Sequence, residues 1–175
     1  MKKLRRFVWF IAKRLMLITG ILGLMTITFY FSMNAANIFV ILKDGMAQRA
    51  LTVMMGLDGA ELPKYFSTAY LPVDKRLATM RDGTNPYELY QITGIDHRLR
   101  MEWVWAWPWE DTARATITEQ VPGIDGRIKS SWRDRVPQEQ WSPPRWPSAR
   151  YDVILIRENG RWYIRELRNE RAYTP

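Results

Sequence analysis

No cysteine occurs in the chain, which excludes disulfides, thiolate metal sites and cysteine nucleophiles. A domain without such staples must be held by its core, and nine Trp, eight Tyr and six Phe supply large side chains for one. Histidine is almost absent as well, His97 being the only one. One imidazole with scattered carboxylates makes no metal-ligand spacing, so neither a metal nor a cofactor is expected. No Asp or Glu precedes Asp44, and residues 15–33 carry no charge of either sign. Internal repeats and low-complexity tracts are missing too.

The uncharged run decides the architecture. Residues 15–33 are apolar except for Thr19, Gly20, Gly23, Thr26, Thr28 and Ser32, types that a helix in lipid tolerates because hydroxyls bond back to their own backbone. At about 1.5 Å rise per residue such a helix reaches roughly 28 Å, close to the ~30 Å hydrocarbon core of a bilayer. Lys2, Lys3, Arg5, Arg6, Lys13 and Arg14 all precede it. The positive-inside bias therefore predicts a basic cytoplasmic tail over residues 1–14, a transmembrane helix over 15–36 and an extracytoplasmic domain over 37–175 of a single-pass cell-membrane protein. Residues 7–12, apolar with Trp9 among them, either lie in the headgroup region or lengthen the span while Lys13 and Arg14 snorkel. A cleaved secretory signal is the competing reading. The run exceeds the usual ~7–15 residues of a signal core, however, and Ser32-Met33-Asn34-Ala35-Ala36 offers no clean small-x-small site.

The formal charge of +8 points to nucleic acid only until it is divided along the chain. With six of the 26 basic residues before the span, the 20 that follow stand against all 18 acidic ones, leaving about +2 outside. Nucleic-acid binding has little support. The expected partners are the lipid bilayer and other membrane or envelope proteins, a second copy of the chain included.

Beyond the span, Leu42, Met46, Ala50, Val53 and Leu57 recur at three and four residues, which continues the helix with one apolar face and puts Lys43, Asp44, Gln48 and Arg49 elsewhere. Gly56 and Gly59 end it. A short helix is expected over residues 60–68 with Pro63 in its first turn, then a turn or two capped by Asp74. After the loop at residues 82–86 the period changes: Ile95, His97, Leu99, Met101, Trp103, Trp105 and Trp107 alternate with other residues, predicting a long strand with these side chains on one covered face. Pro108 stops it, and residues 113–121 return with Ala113, Ala115 and Ile117 on one face, punctuated by Pro122-Gly123 and Asp125-Gly126. Residues 129–150, with Trp132, Trp141 and Trp146 among Pro137, Pro143, Pro144 and Pro147, form a long loop, either a lid or a binding surface. Two strands, residues 151–157 and 161–167, flank Asn159-Gly160. A two-residue type I′ turn there sets Arg157 opposite Trp162, Leu155 opposite Ile164 and Val153 opposite Glu166.

Helices followed by an antiparallel sheet ending in Tyr151-Asp152-Val153-Ile154-Leu155-Ile156-Arg157-Glu158-Asn159-Gly160-Arg161-Trp162-Tyr163-Ile164 resemble the cone fold of the nuclear transport factor 2-like superfamily. Lys64-Tyr65-Phe66-Ser67-Thr68-Ala69-Tyr70-Leu71 resembles its helical part. The likeness covers residues 40–170 and implies an α+β fold, helices packed on a curved antiparallel sheet. A basic tail, one span and an external cone together resemble the bitopic subunits of type IV secretion and conjugation machines and some sporulation-channel proteins. That resemblance is one of layout, and it implies an assembly module without catalytic residues.

Two functional expectations follow. The first is a non-enzymatic scaffold whose contact residues are Trp132, Trp141 and Trp146, although these aromatics can equally cap the cone. The alternative is a small-molecule binding or isomerase-like domain using the cone interior, with His97, Met101, Trp103 and Trp105 lining a pocket and Tyr65, Tyr70 or Tyr90 as partners for His97. Asp96 and His97, adjacent on a strand, should point to opposite faces. Trp103, Trp105, Trp107 and Trp109 serve either as a stacking platform for a planar ligand or as the sheet's packed face.

Overall fold

The computed structural model describes residues 2–173, with side chains from Arg5 onward. The side chains of Lys2 and Lys3, and Thr174 and Pro175, lie outside the described residues. The chain is α+β, one long amino-terminal helix followed by a four-stranded antiparallel sheet.

Helix α1 (Lys2–Met55) is continuous over 54 residues, roughly 80 Å at ~1.5 Å per residue. The expected span runs into the following helix without a break. Its two halves have different surroundings. Large apolar side chains between Phe7 and Met33 are exposed, and the hydroxyls of Thr26 and Thr28 donate to the carbonyls of Leu22 and Leu24 at 2.9 Å each. This helix is long and apolar enough to cross a membrane. From Asn34 onward a stripe is buried instead: Asn34, Ile38, Leu42, Met46, Ala50 and Val53. Leu57, expected to extend the stripe, is exposed because the helix ends at Met55.

The helix expected over residues 60–68 shrinks to one 3-10 turn, Leu62–Lys64. Tertiary bonding won over local helix: Ile164 donates its backbone N–H to the Tyr65 carbonyl at 2.8 Å, and Ser67 donates to the Ile164 carbonyl at 2.9 Å. Phe66 thereby becomes a one-residue parallel bridge to the sheet. A second such turn, Leu71–Val73, leads to Asp74, whose carboxylate accepts from the backbone of Arg76 and Leu77 and caps α2 (Lys75–Arg81) as predicted.

Strands β1 (Tyr90–Trp105), β2 (Thr112–Ile128), β3 (Ala149–Glu158) and β4 (Arg161–Ala172) pair in sequence order, each antiparallel to the next. The second half of α1 packs on one face, where Ile38, Leu42 and Met46 meet Phe66, Tyr151, Leu155 and Ile164. Farther along, Ala50, Val53 and Met54 meet Tyr87, Ile92, Val121 and Trp146. Gly45 permits the closest approach. A Cβ there would lie 2.8 Å from Tyr65 Cβ and 3.1 Å from Ile164 Cδ1, so only a bare backbone lets helix and sheet close.

Bulges correct the expected strand faces. Register slips at Thr93, at Glu102 and opposite His97, and an extra residue reverses which face the following side chains occupy. Met101 packs against the core, Glu102 is the extra residue, and Val104 and Ala106 then turn inward. Trp103 and Trp105 turn outward, at 50% and 44% exposure. Opposite His97, β2 places two residues, Val121 and Pro122. Proline lacks the N–H a regular ladder needs, and a bulge accommodates it without ending the strand, so β2 continues to Ile128. Residues 129–148 contain two 3-10 turns, Ser130–Trp132 and Gln138–Gln140, and otherwise no regular structure.

In the β3–β4 hairpin Arg157 opposes Trp162 and Leu155 opposes Ile164, with φ of 51° at Asn159 and 78° at Gly160, as a type I′ turn requires. Val153 opposes Leu167, not Glu166, because Arg165 is an extra residue in β4. A Cβ on Gly160 meets nothing within 4 Å, so the cost of a side chain there is purely conformational. Gly160→Val should lower stability by about 1 kcal/mol or more, since β-branched residues fit positive φ poorly. A melting temperature equal to that of the natural chain would contradict the turn's assigned role.

Candidate functional site

A charge interrupts the buried stripe of α1. Arg49 is buried, and its guanidinium grips Asp74 with two bonds, Nε to Oδ2 at 2.8 Å and Nη2 to Oδ1 at 3.2 Å. Together with the two backbone donors of α2, four N–H groups converge on one carboxylate. Burial alone would raise the Asp74 pKa, but the Arg49 charge and these bonds outweigh it and hold the carboxyl below its ordinary value. Burial likewise pulls Arg49 down, yet Asp74 and then Glu119 push it well above the usual guanidinium range. Around the pair stand two phenols. Burial, followed by the neighbouring Asp74 charge, raises Tyr70; burial and the Glu119 charge push Tyr151 up to about 12.

Glu119, from β2, is fully buried beside this pair. Its Oε1 lies 3.1 Å from His97 Nε2, and the His97 side chain is only 5% exposed. Asp96 does diverge from His97, as expected, and binds Arg98 at the surface through bonds of 2.6 and 3.1 Å. The partner of His97 is Glu119, however, and not a tyrosine: Tyr90 donates its hydroxyl to the Gln140 carbonyl at 2.7 Å. Glu119 Oε2 and Arg49 Nη1 have no protein partner among the described residues.

The four residues expected to line a pocket are not brought together. His97 and Met101 face inward, whereas Trp103 and Trp105 lie outside with Trp107 and Trp109 at the β1–β2 turn. Trp103 stacks on Trp105 at 6.3 Å between ring centroids, Trp107 stacks on Trp109 at 4.9 Å, and Trp105 meets Trp107 edge-on at 5.2 Å. Phe31 of α1 completes the array, 6.4 Å from Trp105 and 6.0 Å from Trp107. The array is not a packed core face, since Trp103, Trp105 and Trp109 are exposed, and Trp103 and Trp105 line a cleft with Glu110 and Arg114.

The loop tryptophans also separate. Trp146 is 3% exposed and packs on Tyr87 with Arg76 over its ring, 4.4 Å from the centroid. It caps the core and presents no contact surface. Trp132 is 38% exposed with Arg135 over its ring. Trp141 is partly exposed, stacked under Arg133, and donates Nε1–H to the Val136 carbonyl at 3.2 Å.

Chemically, the interior offers a charge-matched pair and a His–Glu contact, with one buried polar atom of each, Arg49 Nη1 and Glu119 Oε2, left without a protein partner among the described residues. A cleft of ≈ 380 Å³ opens over the far side of the pair, lined by Arg49, Tyr70, Lys75, Tyr151, Arg165 and Glu170 among others. The four clefts described among these residues are lined by neither His97 nor Met101.

The periodicity puts Arg49 off the apolar face of its helix, and it does not single out Glu119. Both carried a readable signal. Arg49 lies three residues after Met46 and four before Val53, and Glu119 shares the strand parity of Ala113, Ala115 and Ile117.

Breaking a buried pair from one side leaves a charge uncompensated, which costs ~3–5 kcal/mol. Asp74→Asn keeps a capping oxygen but removes the charge and sets an amide donor against Arg49 Nε–H where Oδ2 accepts, so it should cost about that much or more at neutral pH. Because the folded carboxyl titrates below its ordinary value, its contribution is full above ~4, the unfolded value, and fades as pH falls through the lower folded value. The stability gap between the natural chain and Asp74→Asn in denaturant titrations should therefore shrink on acidification. A gap independent of pH would show that the pair does not carry this energy.

No family model, no curated protein and no solved structure matches this chain.

Proposed function

We propose that the chain is a single-pass membrane protein whose amino-terminus is cytoplasmic and whose domain works outside the cytoplasm as a non-enzymatic interaction module in a membrane assembly. The observation that carries this reading is the continuity of α1: one half exposes an apolar surface long enough for a bilayer, and the other half is the core of the domain. A domain built on its own anchor is confined to the membrane plane, which raises its effective concentration for neighbours confined there too. The basic residues before the span and the absence of acidic ones support the orientation.

A helix laid on one face of an antiparallel sheet that bulges bend supports reading the domain as a cone of the nuclear transport factor 2-like superfamily. Against chemistry in the cone stands the use of His97, shielded from solvent and engaged by Glu119. The contact surface for a partner protein is the loop that presents Trp132 and Trp141, with Trp146 reassigned to packing.

Orientation is checked with a single cysteine at Thr84, exposed in the loop after α2. On intact cells whose outer barrier is absent or permeabilised it should react with an impermeant thiol reagent; reaction only after lysis would reverse the topology. For the contact surface, Trp132 and Trp141 replaced together by Ser should weaken capture of a partner in detergent extracts by ~2 kcal/mol or more, as loss of aromatic anchors does, while circular dichroism stays unchanged. If His97→Gln abolished function with capture preserved, the scaffold reading would give way to chemistry at His97.

A further inference from the structure

We propose that the indole array at the β1–β2 turn is a second membrane-contact element, which seats the domain directly on the lipid interface where α1 emerges. The proposal rests on the reading of α1 as a membrane span. Phe31 lies two residues before Met33, where the apolar run gives way to Asn34, and the rings of Trp105 and Trp107 stand 6.4 and 6.0 Å from it. The turn is therefore level with the point where the apolar helix surface stops, and the array continues that surface sideways.

Indole suits this position because it has an apolar body and one N–H donor, and tryptophan gathers at membrane–water interfaces for that reason. The opposite end of the helix carries Trp9. From Trp9 to Phe31 the helix extends roughly 33 Å at ~1.5 Å per residue, matching the ~30 Å between the two interfaces. A cluster with Trp103 at 50%, Trp105 at 44% and Trp109 at 64% exposure is an unusual apolar patch for a surface facing water alone.

The turn is also held ready. Arg157 of β3 pairs with Asp111 at 3.1 Å and donates to the carbonyls of Pro108 and Glu110 at 3.1 and 2.8 Å. The backbone between the strands is thus fixed before any contact, and the indoles need little ordering on binding. Charge at this end of the sheet is balanced, Glu110, Asp111 and Glu158 against Arg114, Arg157 and Arg161. A phospholipid interface of no net charge fits such a surface, and anionic lipid is not required.

The absence of native cysteine permits a direct test in the full chain. Single cysteines at Trp109, at Leu24 in the span and at Thr84 in the distant loop are labelled with an environment-sensitive fluorophore, and each protein is reconstituted into phosphatidylcholine vesicles. Part of the lipid is brominated, near the glycerol end of its acyl chains in one sample and near their methyl end in another, which reach the Trp109 and the Leu24 labels respectively. The Trp109 label should be blue-shifted and quenched severalfold more than the Thr84 label, with no loss at high salt, and the Leu24 label should be quenched as well. Quenching at Leu24 with none at Trp109 above the Thr84 level would overturn the proposal and leave the anchor intact. Quenching at neither position would remove the anchor reading and this proposal with it. A blue shift at Trp109 without quenching, fading as protein per vesicle falls, would assign the array to a second copy of the chain and overturn the lipid contact.

Discussion

The ion pair of Arg49 with Asp74 is the contact on which the domain's layers depend, because each partner serves two elements at once. Arg49 belongs to the buried stripe of α1, and Asp74 is the cap that starts α2. Glu119 of β2 and Tyr151 of β3 add their fields from the sheet side. Buried charges tolerate no approximate arrangement: four donors on one carboxylate are favourable only when helix, cap and sheet all stand in place. Apolar packing through Ile38, Leu42, Met46 and Ile164 supplies most of the driving force. The pair adds a condition on register that packing alone would leave looser.

Much of this was legible in the sequence wherever one local rule was unopposed. An uncharged apolar run, an Asp before a short helix and an Asn-Gly between two alternating segments each gave the element found. Local rules failed where tertiary contacts competed. The segment after Gly59 has helical spacing, but its backbone bonds to Ile164 of β4 and not to itself. The alternation from Ile95 to Trp107 is regular in sequence, and one extra residue at Glu102 is enough to send Trp103 and Trp105 outward. No property of Glu102 itself announces the bulge. Its carboxylate accepts from Thr118 at 2.5 Å and pairs with Arg150 at 2.6 Å, contacts that exist only once three strands are assembled.

The candidate site was harder to read for a related reason. His97 was identifiable as inward-facing, but its partner came from another strand, 22 residues away. Aromatic residues in a proline-rich loop looked alike, and only the fold distinguishes Trp146, which closes the second core cluster, from Trp132, which stays at the surface.

The uninterrupted course of α1 from the apolar segment into the core makes it a phasing device. An α-helix turns by about 100° and rises ~1.5 Å with each residue, so the facing of the sheet around the axis of the apolar segment is set by the number of residues between Met33 and Ile38. One residue more would swing the whole domain by more than a quarter turn and carry the indole array away from Phe31. Conversely, whatever rotates or tilts the apolar half of this helix turns the domain with it, as a shaft turns what is fixed to its end.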